Sequence, residues 1–262
     1  MKRTIYNSLQ LRELFHLEFL RWFGRKTKAN LYALKGGTNL RFFFNSFRYS
    51  EDMDLDVREV EVSILKDTVM GILKAESFSE ILKPFGISKI VPPDIARAKQ
   101  TETTQRFKVH LITSAGDDLF TKIEFSRRGF KGKIDIQPIA DVILRMYKLA
   151  PLLIPHYDSQ SAIIQKMEAL AARAVIQARD IFDLYVLNSQ YDPQKTKKPG
   201  IKPERLKQAY ENIFAVSFEQ FRDTVVFYLS SEDQTVYNSS VLWDEIRLKV
   251  GNFIEEMRAY DE

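Results

Sequence analysis

The segment LKGGTNLRFFFNSFRYSEDMDLDV, residues 34–57, gathers the residue types in this chain best suited to chemistry. Asp52, Asp54 and Asp56 alternate with Met53, Leu55 and Val57, so on a strand the acids line one side and the apolar residues face a core. Carboxylates crowded on one face repel unless a cation neutralises them, and an all-oxygen set suits Mg²⁺ or Mn²⁺ rather than zinc. Without further context such a D-x-D is a solvated acidic edge. The context here is Gly36-Gly37-Thr38, which opens a helix upstream. Glycine admits close backbone approach, and a helix N-terminus turns free N–H groups and its positive dipole end toward phosphate oxygens. The Thr38 hydroxyl is placed to cap the helix or to meet a phosphate, and Arg41 and Arg48 add positive charge between turn and acids. G-x-x-x-x-G-K-[ST] and G-x-G-x-x-G are both absent, which excludes P-loop and Rossmann sites. A site for a metal-bound nucleoside triphosphate remains.

Two later segments extend the set. In KIEFS, Lys122, Glu124 and Ser126 alternate with Ile123 and Phe125, so Glu124 can join the acidic face from a neighbouring strand; Asp135, in KIDIQ, is its rival. Lys166 and Arg173 are seven apart and share a helix face. Arg179, Asp180 and Asp183 then open a helix whose Ile181, Phe182, Leu184, Tyr185 and Leu187 read as buried, where Asp180 would also favour the helix dipole. Asp56 reads as a surface acid and Phe42-Phe43-Phe44 as helix packing against the sheet and the N-terminal helix. His110 and His156 have no partner at a telling spacing, and Lys195, Lys197, Lys198 and Lys202 read as a solvated loop or a nucleic-acid contact.

The elements that must position these groups follow from periodicity. Residues 7–23 carry apolar residues at helical steps behind an Asn7 or Ser8 cap. Strand, glycine turn, helix and strand occupy LYALKGG to MDLDV. A helix over about 61–75 and strands FGISKIV, RFKVHLI, LFTKIEFS and KIDIQ follow, spaced for antiparallel pairing. From Asp141 the pattern is helical, at 140–149, 159–177, 179–189, 203–214, 217–229 and 240–259. The fold class is therefore α+β: a mixed α/β half at 1–140, and a helical half at 141–262. The 262 residues carry 39 Lys+Arg against 35 Asp+Glu, 45% hydrophobic residues and no cysteine. That excludes disulfides, Cys-type metal centres, thiol nucleophiles and disorder. No apolar stretch reads as a signal peptide or a membrane span, which leads to the expectation of a cytoplasmic protein without a membrane partner.

Taken together, L-K-G-G-T-x-L-R at 34–41, R-Y-S-E-D-M-D at 48–54, K-I-E-F-S at 122–126, K-M-E-A-L-A-A-R at 166–173 and R-D-I-F-D-L-Y at 179–185 resemble the AbiEii-type nucleotidyltransferases. These are toxins of bacterial abortive-infection (phage-defence) and toxin–antitoxin systems within the polymerase-β-like superfamily. The resemblance implies a small mixed-sheet nucleotidyltransferase core, with the helical half completing the active cleft. It implies that Gly36, Gly37 and Thr38 hold the triphosphate, that Asp52 and Asp54 ligate Mg²⁺ or Mn²⁺, and that Glu124 supplies a third metal carboxylate. Arg48 and Ser50 approach the acidic strand to orient the carboxylates or to contact the nucleotide. Lys122 and Arg173 are further nucleotide contacts, and Lys166 counters the polyphosphate charge. One of Asp180 and Asp183 positions Lys166 or acts as base. The implied reaction moves a nucleoside monophosphate from an NTP to tRNA or another RNA, with a cognate antitoxin as partner. The alternatives are NMP transfer to a protein hydroxyl, and a catalytically silent nucleotide- or nucleic-acid-binding module.

Overall fold

The computed structural model describes residues 5–191 and 200–259. Lys195, Lys197 and Lys198 lie outside the described residues; Lys202 ends the loop that leads into a later helix. The chain divides into two compact units, one of residues 1–39 and 49–157, the other of residues 40–48 and 158–262.

The first unit is built on a seven-stranded mixed sheet. Its elements are α1 (Ser8–Lys26), β1 (Tyr32–Lys35), the start of α2 (Gly36–Phe43), β2 (Met53–Val57), α3 (Val62–Leu73), α4 (Glu76–Leu82), β3 (Ile87–Val91), β4 (Thr104–Thr113), β5 (Asp118–Ser126), β6 (Ile134–Pro138), α5 (Asp141–Met146) and β7 (Leu153–Tyr157). The strand order is β3-β4-β5-β2-β1-β7-β6. β2 runs antiparallel to β1 and parallel to β5, and β1 runs parallel to β7. The expected antiparallel pairs hold for β3–β4 and β4–β5, whereas β6 pairs with β7. That strand is absent from the periodicity because Pro155 interrupts its pattern and only five residues carry it.

Asn7 closes a capping box with Gln10 and starts α1. The helix buries Phe15, Phe19 and Phe23 completely, and the Phe23 ring lies 5.3 Å from that of Phe125 on β5. One face of β5, that of Thr121, Ile123 and Phe125, is thereby covered, and the alternate residues Phe120, Lys122 and Glu124 point the other way.

His16 shows how tightly this layer is sealed. Its Nε2 lies 2.8 Å from Thr121 Oγ1, while the Thr121 hydroxyl donates its one proton to the Glu51 carbonyl at 2.7 Å. The imidazole Nε2 is therefore the donor, and burial, followed by the nearby Arg12 charge, lowers the pKa of the ring to about 3. The unfolded chain takes up this proton near pH 6.5, so the stabilisation is complete above that pH and is lost as pH falls toward 3. Unfolding free energy from urea titration should drop by about 2 kcal/mol between pH 7 and pH 5 on account of this one group. His16→Gln should flatten that slope; an unchanged slope in the variant would contradict the assignment.

The second unit is helical: residues 40–43 from the end of α2, then α6 (Ser159–Ala172), α7 (Ala178–Asn188), α8 (Pro203–Ile213), α9 (Phe218–Thr224), α10 (Ser231–Tyr237) and α11 (Ser240–Ala259). Its core joins Leu40 and Phe44 to Met167, Leu170, Phe182, Leu184, Phe221 and Trp243, with Phe43 packed against it. Phe43 and Phe44 of the phenylalanine run thus serve the helical core, while Phe42, also buried, is not part of it. No helix among the described residues is long and apolar enough to cross a membrane.

Candidate active site

The first unit holds the glycine turn and the acidic strand. Gly36 follows β1 directly and has a left-handed backbone, φ +69°. A Cβ added there would stand 2.9 Å from Asp54 Oδ2, so only glycine lets the helix start this close to the carboxylate. Two hydroxyls pin the approach to β2: Thr38 Oγ1 and Ser50 Oγ both donate to the Asp52 carbonyl, at 3.0 and 2.8 Å. Thr38, expected to cap the helix or meet a phosphate, and Ser50, expected to orient the carboxylates and fix the turn or to contact the nucleotide, both hold the turn through their side chains, and Gly37 lies in the first turn of α2.

Parallel register puts Asp54 beside Glu124, while Asp135 lies on edge strand β6, paired in register with His156 and salt-bridged to Lys133 at 2.9 Å. Cations attend the other acids. Lys122 Nζ is 2.9 Å from Asp52 Oδ2 and 3.9 Å from Glu124 Oε2, and Arg106 meets Glu124 at 2.7 Å. Burial pushes the Asp54 carboxyl above its ordinary range; Lys35 and Lys122 pull against this, and Glu124 and Asp52 add to it. Among the described residues no group of three metal-ligating side chains is assembled, and the Glu124 carboxylate accepts from Arg106. The donors nevertheless fit a hard divalent cation: they are carboxylate oxygens, and the charge on Asp54 is incompletely met by the protein.

Asp56 was expected at the surface and is instead 4% exposed. It accepts from Lys35 Nζ at 2.5 Å and from the Tyr157 hydroxyl at 2.6 Å. Burial first, and then this bond to Asp56, push the Tyr157 phenol up. Lys35 and Tyr157 lie on neighbouring or next-nearest strands, and only the sheet order makes their partnership with Asp56 visible.

The second unit holds a buried ion network. Asp180 and Asp183, both fully buried on α7, converge on Lys166 of α6, whose Nζ is 3.1 Å from Asp180 Oδ1 and 2.6 Å from Asp183 Oδ2. Arg173, which ends α6, brings its Nε to 3.0 Å from Asp180 Oδ2. Arg48 forks onto Asp183, its Nη2 lying 3.0 and 3.2 Å from the two carboxylate oxygens. Burial alone would raise the Asp183 pKa, but Arg48 and Lys166 hold it below the ordinary carboxylate range. Burial would likewise lower that of Lys166, and Asp183 and Asp180 hold it above the usual lysine value. Asp183 is consequently a weak proton acceptor and a strong anchor for the ammonium. The spacing of three that left Asp180 and Asp183 as alternatives puts both on the same lysine. Arg179 is exposed, and so is Lys202.

These placements predict a sharp response at the glycine turn. Gly36→Ala should cut the NMP transfer that the sequence resemblance implies at least about a hundredfold, through a clash with Asp54 and a strained left-handed φ, which together move the carboxylate. Gly129→Ala, also at positive φ but with open space around it, should leave transfer unchanged in the same assay.

Comparison with known proteins gives this geometry a family. Residues 18–236 match the family model for the nucleotidyl transferase AbiEii toxin of type IV toxin–antitoxin systems. Among solved structures, JHP933 from Helicobacter pylori is similar over 99% of this chain and 100% of its own, at 19% identity and TM-score 0.56. A putative nucleotidyltransferase from H. pylori matches over 98% and 97%, at 17% and 0.54. MenT4, a nucleotidyltransferase toxin from Mycobacterium tuberculosis H37Rv, matches over 95% and 84%, at 16% and 0.59. At these identities the likeness is one of fold. No curated protein gives a significant match. With a family model covering most of the chain, the protein belongs to the AbiEii nucleotidyltransferase toxin family.

Proposed function

We propose that this nucleotidyltransferase moves a nucleoside monophosphate from an NTP to an RNA acceptor, tRNA in particular, with Mg²⁺ as cofactor. Its cellular consequence would be growth arrest in abortive infection, restrained by a cognate antitoxin, the partner that a type IV toxin–antitoxin family implies. The observation that carries the reading is Gly36, which brings a helix N-terminus to within one methyl group of Asp54.

In this reading the backbone of Gly36 and Gly37 binds the triphosphate, with Thr38 and Ser50 holding the turn. Asp52 and Asp54 hold the metal, with Glu124 as third carboxylate once Arg106 releases it. When bound, the metal supplies charge neutralisation at the reacting phosphoryl group. Lys122 passes from Asp52 to phosphate oxygens. Lys166 and Arg173 are assigned to the polyphosphate charge, Arg48, Asp180 and Asp183 to holding Lys166 in place. The acceptor oxygen bonds to the α-phosphorus as the bond from that phosphorus to the α–β bridging oxygen breaks, the hydroxyl proton passes to solvent, and pyrophosphate leaves.

Purified protein incubated with each α-labelled NTP, Mg²⁺ and total RNA tests this. Label should appear on RNA and vanish with ribonuclease. Label removed by protease alone would make the acceptor a protein, and no label under any NTP would sink the transferase reading for this chain.

A further inference from the structure

The sheet face that carries Asp54 and Glu124 continues across β5, β4 and β3. The register pairs Arg106 with Glu124, Lys108 with Lys122, His110 with Phe120 and Ile112 with Asp118, and then Lys89 with Ile112 and Val91 with His110. Residues opposite one another in antiparallel strands share a face, so these side chains form one surface. The other face buries Phe107, Val109, Leu111, Leu119, Ile123 and Phe125. This one is open to solvent, with Lys89, Lys108 and Phe120 exposed.

Its chemistry has two parts. Lys108 stands directly across from Lys122, a like-charge pair that costs stability unless an anion relieves it. Lys122 turns to Asp52, and among the described residues no carboxylate forms an ion pair with Lys108 or Lys89. The second part is Phe120, 59% exposed, whose ring stacks on the His110 imidazole at 4.7 Å and 20°. The imidazole is held through its Nε2 by Asp118, at 2.6 Å. An aromatic ring this exposed adds little to the core. Flanked by cations without partners, it has the makeup of a stacking platform for single strands: ring faces for bases, ammonium groups for phosphates. A duplex would keep its bases from the ring, and an acidic protein would use the lysines but leave the platform idle.

We propose that this β3–β4–β5 surface holds single-stranded RNA, with a base stacked on Phe120 and its phosphates on Lys108 and Lys89. The strand then runs along β5 toward Glu124 and Asp54, about 14 Å away over four residues, a distance spanned by a few nucleotides. The surface rests on the transferase reading, in that it supplies the acceptor for that site.

Anisotropy of a labelled single-stranded RNA 12-mer with the full chain, in the absence of NTP and metal, tests it. The 12-mer should bind about tenfold or more tightly than its duplex or a polyglutamate peptide. Phe120→Ala should weaken binding by about five- to a hundredfold, and Phe120→Trp should retain it. Lys108→Glu should weaken binding and lower the slope of log K against log salt by about one. Both side chains are exposed, so neither variant should melt below the wild type, and Lys108→Glu, placed opposite Lys122, should if anything melt higher. Equal binding of duplex or polyglutamate, or unchanged affinity in both Phe120→Ala and Lys108→Glu, overturns the proposal. Transfer assays on the same proteins separate it from the function on which it rests. Wild-type transfer onto RNA with unaltered binding by the variants sinks the surface alone. Absence of transfer to any acceptor, with RNA binding lost in the variants, sinks the transferase reading and leaves the surface standing.

Discussion

Asp54→Asn should lower NMP transfer by about a thousandfold or more, equivalent to about 4 kcal/mol of transition-state stabilisation, while the protein remains at least as stable as the wild type. The two effects have one cause. Burial raises the Asp54 pKa, and Asp52 and Glu124 reinforce the rise. A carboxyl whose folded pKa is raised favours the fold below its unfolded pKa, and that advantage is lost as pH rises through the folded value. Ionisation of Asp54 is thus a liability of the fold, offset in the proposed reading by a bound metal ion, and asparagine removes it. Added Mg²⁺ should raise the melting temperature of the wild type but not of Asp54→Asn, because only a state that binds the ion gains from it. Substantial transfer by the asparagine variant, or an equal Mg²⁺ shift in both proteins, would exclude Asp54 as a metal ligand.

Lys166→Met should have the opposite profile, losing activity and stability together. Asp180 and Asp183 are fully buried and share this lysine, so its removal leaves buried negative charge less well met, a loss typically of about 3–5 kcal/mol. The pH range follows from the directions of the shifts. Asp183, held low, contributes stability above its unfolded pKa near 4 and loses it as pH falls through the lower folded value. Lys166, held high, contributes below its unfolded pKa near 10.5 and loses it as pH rises through the higher folded value. Lys166 and Asp183 therefore stay charged across the whole physiological range. Chemical denaturation of Lys166→Met, Asp180→Asn and the double variant checks this. The double variant should be destabilised by clearly less than the sum of the two, since one deletion relieves the other. Strict additivity would show that the residues do not act as a unit.

The sequence was most readable where one face of an element decides everything. MDLDV forms β2 because period-two alternation puts Met53, Leu55 and Val57 in the core. The adjacency of Glu124 to Asp54 was foreseeable as a possibility, since alternation in KIEFS points Glu124 and Lys122 together; choosing it over Asp135 required the strand order. Partnerships across long separations could not be read. Arg48 and Asp183 lie 135 residues apart, and nothing local to either marks the other. Asp56 was misjudged for the same reason, as alternation assigns it to the open face while Lys35 and Tyr157 close over it. β7 escaped because a five-residue strand containing a proline carries too little pattern to compete with the helical segments on either side.

The excursion of residues 40–48 into the helical unit sets an order in time. On a ribosome adding about 5–20 residues per second, Arg48 emerges roughly 7–27 s before Asp183. Through that interval its guanidinium has no Asp183 to meet, and the fork onto that carboxylate is incomplete. The stretch from Leu40 to Arg48 thus stays unfinished until α7 has been translated. The segment just after the glycine turn is therefore among the last to settle.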